Sequence, residues 1–321
     1  MPILEVKNLK KYYPIKKGIF SGTKYVRAVD NVSLTINKGE TLGLVGESGC
    51  GKTTLGKLIV KIETPTSGKV ILNDVNTEKL SKKKLRESRK DFQMIFQDPY
   101  SSLNPRINII GVLNEVLSIH TKLNKRDRYL RAIELLNLVG LKENHLFRYP
   151  HQFSGGQRQR IGIARALAVN PKLIVADEPI SALDVSIQAQ IINLLCSIQK
   201  ENDIAFLFIA HDLVVVEHIS AKIMVMYLGK IVEYGESYEI CNNPKHPYTL
   251  ALIQSIPSIN SSNKIINRKL LSGDIPSPLS PPKGCSFHPR CSFAIAKCKL
   301  EEPALNEINK SGHFSACFVK M

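Results

Sequence analysis

Several features are missing from this chain of 321 residues, and each absence narrows what the protein can be. Tryptophan is absent, and no segment reaches the ~18 uninterrupted apolar residues that a membrane-spanning helix needs. The first residues also lack the basic region followed by an apolar region that makes up a secretory signal. We therefore expect a cytosolic protein, whose attachment to any membrane must come through other subunits.

Acidic residues are scarce relative to basic ones, since 28 Asp and Glu stand against 44 Lys and Arg and the formal net charge is +16. The basic excess is spread through segments such as 7–24 and 79–90. Basic residues can bind an anionic membrane surface or a nucleic acid, or they can simply be solvated at the surface. We expect most of the basic residues here to be solvated. Because no stripe of basic residues is interleaved with aromatic ones, we expect no nucleic-acid partner.

What the sequence does contain is a glycine-rich motif, G-x-x-x-x-G-K-T, of the kind that binds nucleoside triphosphates. Its glycines let backbone N–H groups point at a β-phosphate, while Lys52 reaches the β- and γ-phosphates and Thr53 ligates Mg²⁺. The motif alone indicates only a P-loop NTPase, because many unrelated functions carry one. The predicted nucleotide-binding residues of this loop are Gly46, Glu47, Ser48, Gly49, Cys50, Gly51, Lys52, Thr53 and Thr54.

Two segments downstream of this loop contain residues that could bind a phosphate or a metal ion. A Ser-Gly-Gly-Gln sequence opens an amphipathic stretch, so a helix should begin there and offer its N–H groups and positive end to an anion. Lys172 is followed by a short apolar run over 173–176 that ends in Asp177 and Glu178, the pattern of a buried parallel strand with carboxylates at its C-terminal edge. The residues of the first segment are Ser154, Gly155, Gly156 and Gln157.

The order of these motifs resembles that of ABC ATPases, in which residues 153–160 correspond to the signature motif. The resemblance implies that residues 154–157 contact the γ-phosphate of ATP held on a partner subunit's P-loop. It also implies that Asp177 holds Mg²⁺ and that Glu178 polarises the attacking water. Phe153 stands where the family usually has Leu, and we expect this side chain to pack rather than to coordinate.

The same resemblance gives roles to residues that mean little alone. Gln97, which ends a predicted strand over 91–96, matches the Q-loop that senses Mg²⁺ and water and reports to the membrane partner. Asp184 closes a segment that matches the D-loop. His211 follows a predicted strand over 204–210 and matches the switch histidine that contacts the γ-phosphate.

An aromatic residue near the N-terminus is expected to stack on adenine. We assign this role to Tyr13, with Tyr12 and Tyr25 as alternatives. The predicted site therefore has a set of catalytic residues and a set of Mg²⁺ ligands, and each set includes one residue of the P-loop. The catalytic residues are Glu178, His211 and Lys52, and the Mg²⁺ ligands are Thr53, Gln97 and Asp177.

The resemblance implies an α/β fold, an ABC-type P-loop NTPase cassette with a RecA-like core and antiparallel β and α-helical subdomains. A loop-rich, cysteine-containing C-terminal extension is added to it. We place the cassette at 1–240, its helical subdomain at about 98–168, and the extension at 241–321. Local patterns predict a helix over about 52–62 and strands at 4–6, 26–36, 41–45 and 69–72, besides those named above.

Stretches beyond the shared motifs resemble the ATP-binding subunits of oligopeptide and dipeptide ABC importers, namely residues 97–106, 177–186 and 246–249. Nickel and metallophore importers use closely related subunits, so the cargo stays open between these classes. The resemblance implies two permease subunits, a second homologous ATPase in a heterodimer, and an extracytoplasmic substrate-binding protein. The chain would then sit peripherally on the cytoplasmic face of the cell membrane.

Two other functions are compatible with a single ABC cassette, besides that of an importer subunit. A soluble ABC ATPase acting on nucleic acid or ribosomes usually carries tandem cassettes, a coiled-coil insertion or zinc knuckles, and this chain has one cassette without them. An exporter cassette is disfavoured because the chain has no fused membrane domain. We therefore expect an ATP hydrolase that drives import.

Four of the seven cysteines cluster near the C-terminus with the spacing C-x₅-C-x₆-C-x₁₈-C. Disulfides are disfavoured in a cytosolic protein, so clustered thiols suggest thiolate ligation. Zinc, an iron–sulfur cluster and unliganded thiols remain open from the residues, although the usual C-x₂₋₄-C knuckle of a zinc site is missing. The family resemblance implies a 4Fe–4S centre at Cys285, Cys291, Cys298 and Cys317.

Overall fold

Two β-sheets organise the residues that the computed structural model describes, namely 1–15, 23–98, 100, 102–255, 273–308 and 310–320. Pro99 and Ser101 of the predicted 97–106 motif lie outside this set. The strands are β1 Pro2–Ile15, β2 Lys24–Asn37, β3 Thr41–Val45, β4 Ser67–Leu72, β5 Val75–Asn76, β6 Phe92–Ile95, β7 Leu173–Asp177, β8 Ala205–Ala210, β9 Lys222–Tyr227, β10 Lys230–Glu236, β11 Asn306–Ile308 and β12 His313–Ser315.

Helices fill the connections between these strands. They are α1 Lys52–Ile59, α2 Lys82–Ser88, α3 Ile109–His120, α4 Lys125–Leu138, α5 Gly155–Leu167, α6 Val185–Asn202, α7 Leu213–Ile219, α8 Ser237–Asn242, α9 Pro247–Gln254 and α10 Ala296–Leu300. Short 3₁₀ turns occur at Thr77–Lys79, Arg89–Asp91, Glu143–Phe147, Pro150–Gln152 and His288–Arg290. In the part of the chain described, no helix combines the length and apolar character needed to cross a bilayer.

The larger sheet contains the parallel core. Its strand order is β11-β12-β10-β9-β3-β8-β7-β6, and the pairings among β9, β3, β8, β7 and β6 are parallel. Strands β3, β7 and β8 are buried along their whole length, as expected for parallel strands covered on both faces. Because β3, β8 and β7 are neighbours, the segments that follow them emerge at one edge of the sheet.

Alternate residues of these strands enter two hydrophobic clusters on opposite faces. Ile174 and Phe206 belong to the cluster that includes the apolar sides of α3, α4 and α5. Val175 and Leu207 belong to the cluster that includes α1 and the antiparallel sheet, whose strand order is β2-β1-β4-β5. The parallel sheet therefore lies between a helical layer and an antiparallel layer.

Most predicted elements are present, with two differences in length. The helix expected over about 52–62 ends at Ile59, because the chain turns at Val60 and Lys61 has a left-handed φ of 56°. The strand expected over 4–6 extends to Ile15, since it pairs with β2 up to Ile15–Lys24. That pairing supplies backbone hydrogen bonds that a polar sequence does not reveal on its own.

The C-terminal segment continues the larger sheet. Strand β12 pairs antiparallel with β10, at Glu233–Ser315 and Tyr234–Phe314, and β11 pairs with β12. The buried Glu233 carboxylate also accepts a hydrogen bond from His313 Nε2 at 2.7 Å. The tail is thus attached to the cassette by backbone pairing and by a buried polar contact.

Candidate nucleotide-binding site

The glycine-rich loop connects β3 to α1 at the C-terminal edge of the parallel sheet. Gly51 immediately precedes the helix with φ 110°, and a Cβ there would lie 2.0 Å from the Ala28 carbonyl oxygen. A Cβ on Gly46 would lie 2.2 Å from the Met226 carbonyl oxygen. These contacts explain why glycine is needed at both ends of the loop. The N-terminus of α1 opens onto the loop, the geometry that favours a phosphate.

Lys52 is the first residue of α1, and its side chain is folded back under the loop. The ammonium group donates to the Gly46 carbonyl at 2.6 Å and to the Glu47 carbonyl at 3.0 Å, and the residue is 4% exposed. Cys50 is buried beside it, and burial raises the pKa of its thiol. The loop therefore surrounds a fixed positive charge, as a phosphate site requires.

Thr53 and Asp177 are 124 residues apart in sequence but adjacent at the sheet edge. The Thr53 hydroxyl donates to Asp177 Oδ1 at 3.0 Å. Burial raises the pKa of Asp177, while this hydrogen bond acts in the opposite direction. A hydroxyl and a carboxylate beside a phosphate loop are oxygen donors of the type that Mg²⁺ prefers.

Glu178 follows β7 and meets the two predicted sensor residues. Gln97 Nε2 donates to Glu178 Oε2 at 3.0 Å, and His211 Nδ1 lies 3.5 Å from the same oxygen. Glu178 itself adopts a left-handed φ of 44°, and its N–H donates to the Ile209 carbonyl. The structure therefore brings together three predicted residues that come from the ends of three neighbouring strands.

A cavity of about 190 Å³ lies over the loop. Its walls contain seven of the nine predicted loop residues, Ser48 to Thr54, together with Gln97 and Glu178. Six further lining residues were not predicted, because they come from β2, from the β9–β10 turn and from the tail. These additional lining residues are Val26, Arg27, Ala28, Leu228, Gly229 and Pro278.

The predicted adenine-stacking residue lies close to this cavity but not in its wall. The Tyr13 hydroxyl contacts the Glu63 carboxylate, and burial together with this hydrogen bond raises the pKa of Tyr13 to about 12. Tyr12 donates to Asp30 at 2.5 Å, and Tyr25 is 51% exposed. Within the described ranges, none of the three tyrosines lines the cavity. The role of Tyr13 stays a prediction.

The Ser-Gly-Gly-Gln segment forms the N-terminus of α5, as predicted. Ser154 Oγ accepts from the Gln157 N–H at 3.4 Å and Gln157 Oε1 accepts from the Ser154 N–H at 3.2 Å, a reciprocal capping box. A Cβ on Gly156 would lie 2.5 Å from Ile187 Cγ2, so this glycine permits close packing against α6. Phe153 is buried, in agreement with its expected packing role.

Among the described residues, this segment lies outside the wall of the chain's own nucleotide cavity. Ser154 and Gly155 are exposed, and in the part of the chain that the structure describes the cavity wall contains no residue of 154–157. Asp184, the exposed N-cap residue of α6, also lies outside that wall. The two halves expected of a complete site are therefore both present in one chain but separated.

The four tail cysteines share one small cavity, which is also lined by His246 and His288. Burial raises the pKa of Cys285, Cys291 and Cys317, so these thiols are kept protonated when they bind nothing. Among the described residues, no three His, Cys, Asp or Glu side chains are arranged to hold a metal ion. The four cysteines therefore lie around one cavity, and their role as cluster ligands stays a prediction.

The parallel sheet, the phosphate loop at its edge and the separate signature helix together define an ATPase cassette of the ABC class. Family comparisons agree with this class. The family described as ABC transporter matches residues 29–181, and the family described as oligopeptide/dipeptide transporter, C-terminal region, matches residues 232–298.

Relatives resemble the chain over nearly its whole length. The oligopeptide transport ATP-binding protein AppF of Bacillus subtilis is 50% identical over 318 residues, 98% of this chain and 96% of that protein. The dipeptide transport ATP-binding protein DppF of Escherichia coli is 47% identical over 317 residues, 99% of this chain and 94% of that protein. The chain belongs to the ATP-binding subunits of the oligopeptide/dipeptide ABC transporter family.

A solved structure supports the cassette fold independently. The dimeric, post-hydrolysis state of the ATP-binding cassette MJ0796, bound to ADP and Pi, has a TM-score of 0.65 at 30% identity. The match covers 73% of this chain and 98% of that one. The cassette fold predicted from the sequence is therefore confirmed.

Proposed function

We propose that this chain powers the import of di- or oligopeptides by binding and hydrolysing ATP at a site completed by a second cassette. The observation that carries the proposal is the meeting of Thr53, Asp177, Glu178, Gln97 and His211 at one sheet edge. The whole-length similarity to peptide-transport ATPases supports the cargo class over a nickel or metallophore importer. Neither family match favours a soluble ATPase acting on nucleic acid or ribosomes.

In this proposal, the triphosphate lies in the P-loop and the adenine stacks on Tyr13. Residues 46–54 cradle the phosphates, and Lys52 exchanges its loop carbonyl contacts for phosphate oxygens. Thr53, Gln97 and Asp177 would hold Mg²⁺, which neutralises charge on the phosphates. The signature residues Ser154 to Gln157 of the second cassette would close the site, since this chain's own copy is not in the described wall of its nucleotide cavity.

Hydrolysis follows from the positions of the side chains. Glu178 orients and deprotonates the attacking water, and His211 beside it contacts the γ-phosphate. Lys52 and the opposing signature helix stabilise the charge that spreads over the transferring phosphoryl group. ATP favours the closed pair of cassettes, and its loss after hydrolysis allows the pair to open, so binding energy shifts the population of the transporter between states.

We assign the coupling of ATP hydrolysis to transport to the helical subdomain at about 98–168. This subdomain would move together with two permease subunits as the cassettes close. Gln97 stands at its start and contacts Glu178, so it connects the chemistry to that movement. The cassette at 1–240 and the extension at 241–321 are the proposed domains. A heterodimer with a homologous ATPase, an extracytoplasmic binding protein and a peripheral position on the cytoplasmic membrane face complete the proposed assembly.

We further propose that the four tail cysteines bind a 4Fe–4S cluster. The donor set fits, because four thiols line one cavity and Cys₄ is the usual ligand set of such clusters. When bound, the cluster would brace the tail covalently. Iron and sulfide quantification on anaerobically purified protein tests this, and stoichiometric zinc or metal-free protein would contradict it.

The central proposal is tested by purifying the chain with its co-expressed genomic neighbours. Hydrophobic permease subunits, a second and non-identical ATPase, and peptide-stimulated ATP hydrolysis in liposomes are the expected results. Stimulation by a nickel chelate instead of peptides would replace the cargo assignment. Association with nucleic acid or ribosomes, without any permease, would contradict the importer function.

A further inference from the structure

An ion pair joins the tail directly to the phosphate loop. Arg290 Nη1 lies 2.7 Å from Glu47 Oε2, and Arg290 Nη2 lies 2.9 Å from Glu47 Oε1. The two residues are 243 positions apart, and their side chains are 5% and 22% exposed. A two-point guanidinium–carboxylate contact is strong and fixes orientation as well as distance. The second residue of the loop is therefore held in place by the tail.

Every polar group of Glu47 is engaged in a contact. Its N–H donates to Tyr248 Oη at 2.8 Å, and its carbonyl accepts from Lys52 Nζ at 3.0 Å. Tyr248 belongs to α9 in the extension, so both the N–H and the carboxylate of Glu47 are held from outside the ATPase core. Any displacement of Glu47 must consequently move the loop backbone and the lysine expected to bind phosphate.

The tail side of this connection is tightly packed. Arg290 ends the 3₁₀ turn His288–Arg290 and directly precedes Cys291. In the same turn region, Phe287 is buried against the rings of Tyr227 and Tyr248, with ring centroids 5.3 Å apart in both cases. The segment that carries two of the four thiols is thus in rigid contact with the residues that hold Glu47.

We propose that Arg290 is a positioning residue for the phosphate loop, and that through it the cysteine tail controls how tightly the ATP site binds nucleotide. The proposal rests on the proposed function of the site. Its electrostatic reason is that Arg290 neutralises a carboxylate located in the loop that must accept a highly anionic triphosphate. Without Arg290, the carboxylate repels the phosphates and the loop loses its outer support.

Equilibrium titration of the full-length chain with a fluorescent ATP analogue tests the proposal. R290Q is expected to raise the Kd about 5-fold or more, the lower end of typical coupling between sites. R290K, which keeps the charge but not the two-point contact, should have a smaller effect. The double variant E47Q/R290Q should recover most of the lost affinity, because the unneutralised carboxylate is gone. A purely structural defect would not be rescued by the second substitution.

The matched control is E302Q. Glu302 in the tail pairs with Lys230 of β10 at 2.5 Å, so this variant removes another tail–cassette ion pair that does not contact the loop. It should leave the Kd unchanged. R290Q binding within twofold of wild type, or a double variant no better than R290Q, would overturn the proposal. Failure of the wild-type chain to bind the analogue would instead overturn the proposed function, and this proposal with it.

A second measurement follows the tail instead of the nucleotide. If the tail increases the affinity of the loop for nucleotide, then nucleotide binding must stabilise the tail by the same free energy. Binding of the analogue should slow amide hydrogen exchange in residues 285–291 of the wild-type chain. The same addition should have no such effect in R290Q, even at saturating analogue. Equal protection of this segment in both proteins would show that the tail responds by another route and would overturn the role of Arg290.

Discussion

Replacement of Glu178 by Gln separates ATP binding from ATP hydrolysis. The carboxylate accepts a hydrogen bond from Gln97 at 3.0 Å, lies 3.5 Å from His211, and its side chain is 15% exposed. Gln has nearly the same shape and can still accept from Gln97, so the site should keep its geometry. It cannot take a proton from water, and a positioned general base contributes about 10²–10⁴-fold to a rate.

Glu178→Gln should therefore lower the rate of phosphate release at saturating ATP about 10²–10⁴-fold in the assembled transporter. ATP-dependent pairing of cassettes, followed by light scattering on a chromatography column, should persist or increase because the closed state no longer decays. The matched control is Glu40→Gln, which makes the same chemical change just before β3, where Glu40 lies 3.7 Å from Lys222. Hydrolysis by Glu178→Gln within a few-fold of the wild-type rate would refute the assignment.

Three other variants test separate parts of the structure. Tyr13→Ala should weaken binding of an ATP analogue by about 1–3 kcal/mol through lost stacking, whereas Tyr13→Phe should not. Ser154→Ala should cost about 1 kcal/mol of unfolding free energy in urea through loss of the helix cap, and should also abolish ATP-dependent pairing. Glu233→Ala should cost about 3–5 kcal/mol of unfolding free energy, because it removes the carboxylate that pairs with the buried His313 ring and that accepts from the N–H of the buried His246.

Each of these predictions has its own contrary result. Equal affinities of the Ala and Phe variants at Tyr13 would return adenine stacking to Tyr12 or Tyr25. Pairing of Ser154→Ala cassettes at wild-type ATP concentrations would remove the signature serine from the interface. A Glu233→Ala protein as stable as wild type would mean that the tail does not depend on its buried contact with β10.

The core of the site could be predicted because its signals are local. An apolar run followed by a glycine motif gave β3 at Thr41–Val45 and the start of α1 at Lys52, both as observed. Asp177 was likewise expected at the end of a buried strand, and β7 ends there. Parallel strands then place their C-terminal ends together whatever the remaining sequence is, so the contacts of Gln97 and Glu178 follow from the fold class.

Contacts between distant segments could not be predicted in the same way. Arg290 is one of many basic residues, and only folding brings it to Glu47, 243 positions away. Tyr248 was noticed as part of a family motif at 246–249, but its hydroxyl contact with the loop has no local signal. His313 shows the same limit, because nothing in the local sequence marks this tail histidine as buried, and yet it is 3% exposed.

The reciprocal capping of Ser154 and Gln157 has a consequence for the free energy with which cassettes engage. The N-terminal end of α5 is already capped in the single chain, so this segment does not have to fold when two cassettes meet around a nucleotide. Ordering of flexible groups is one of the main costs of association, and a rigid docking surface avoids it. The energy released on engagement is then available for displacing whole subdomains against the membrane proteins.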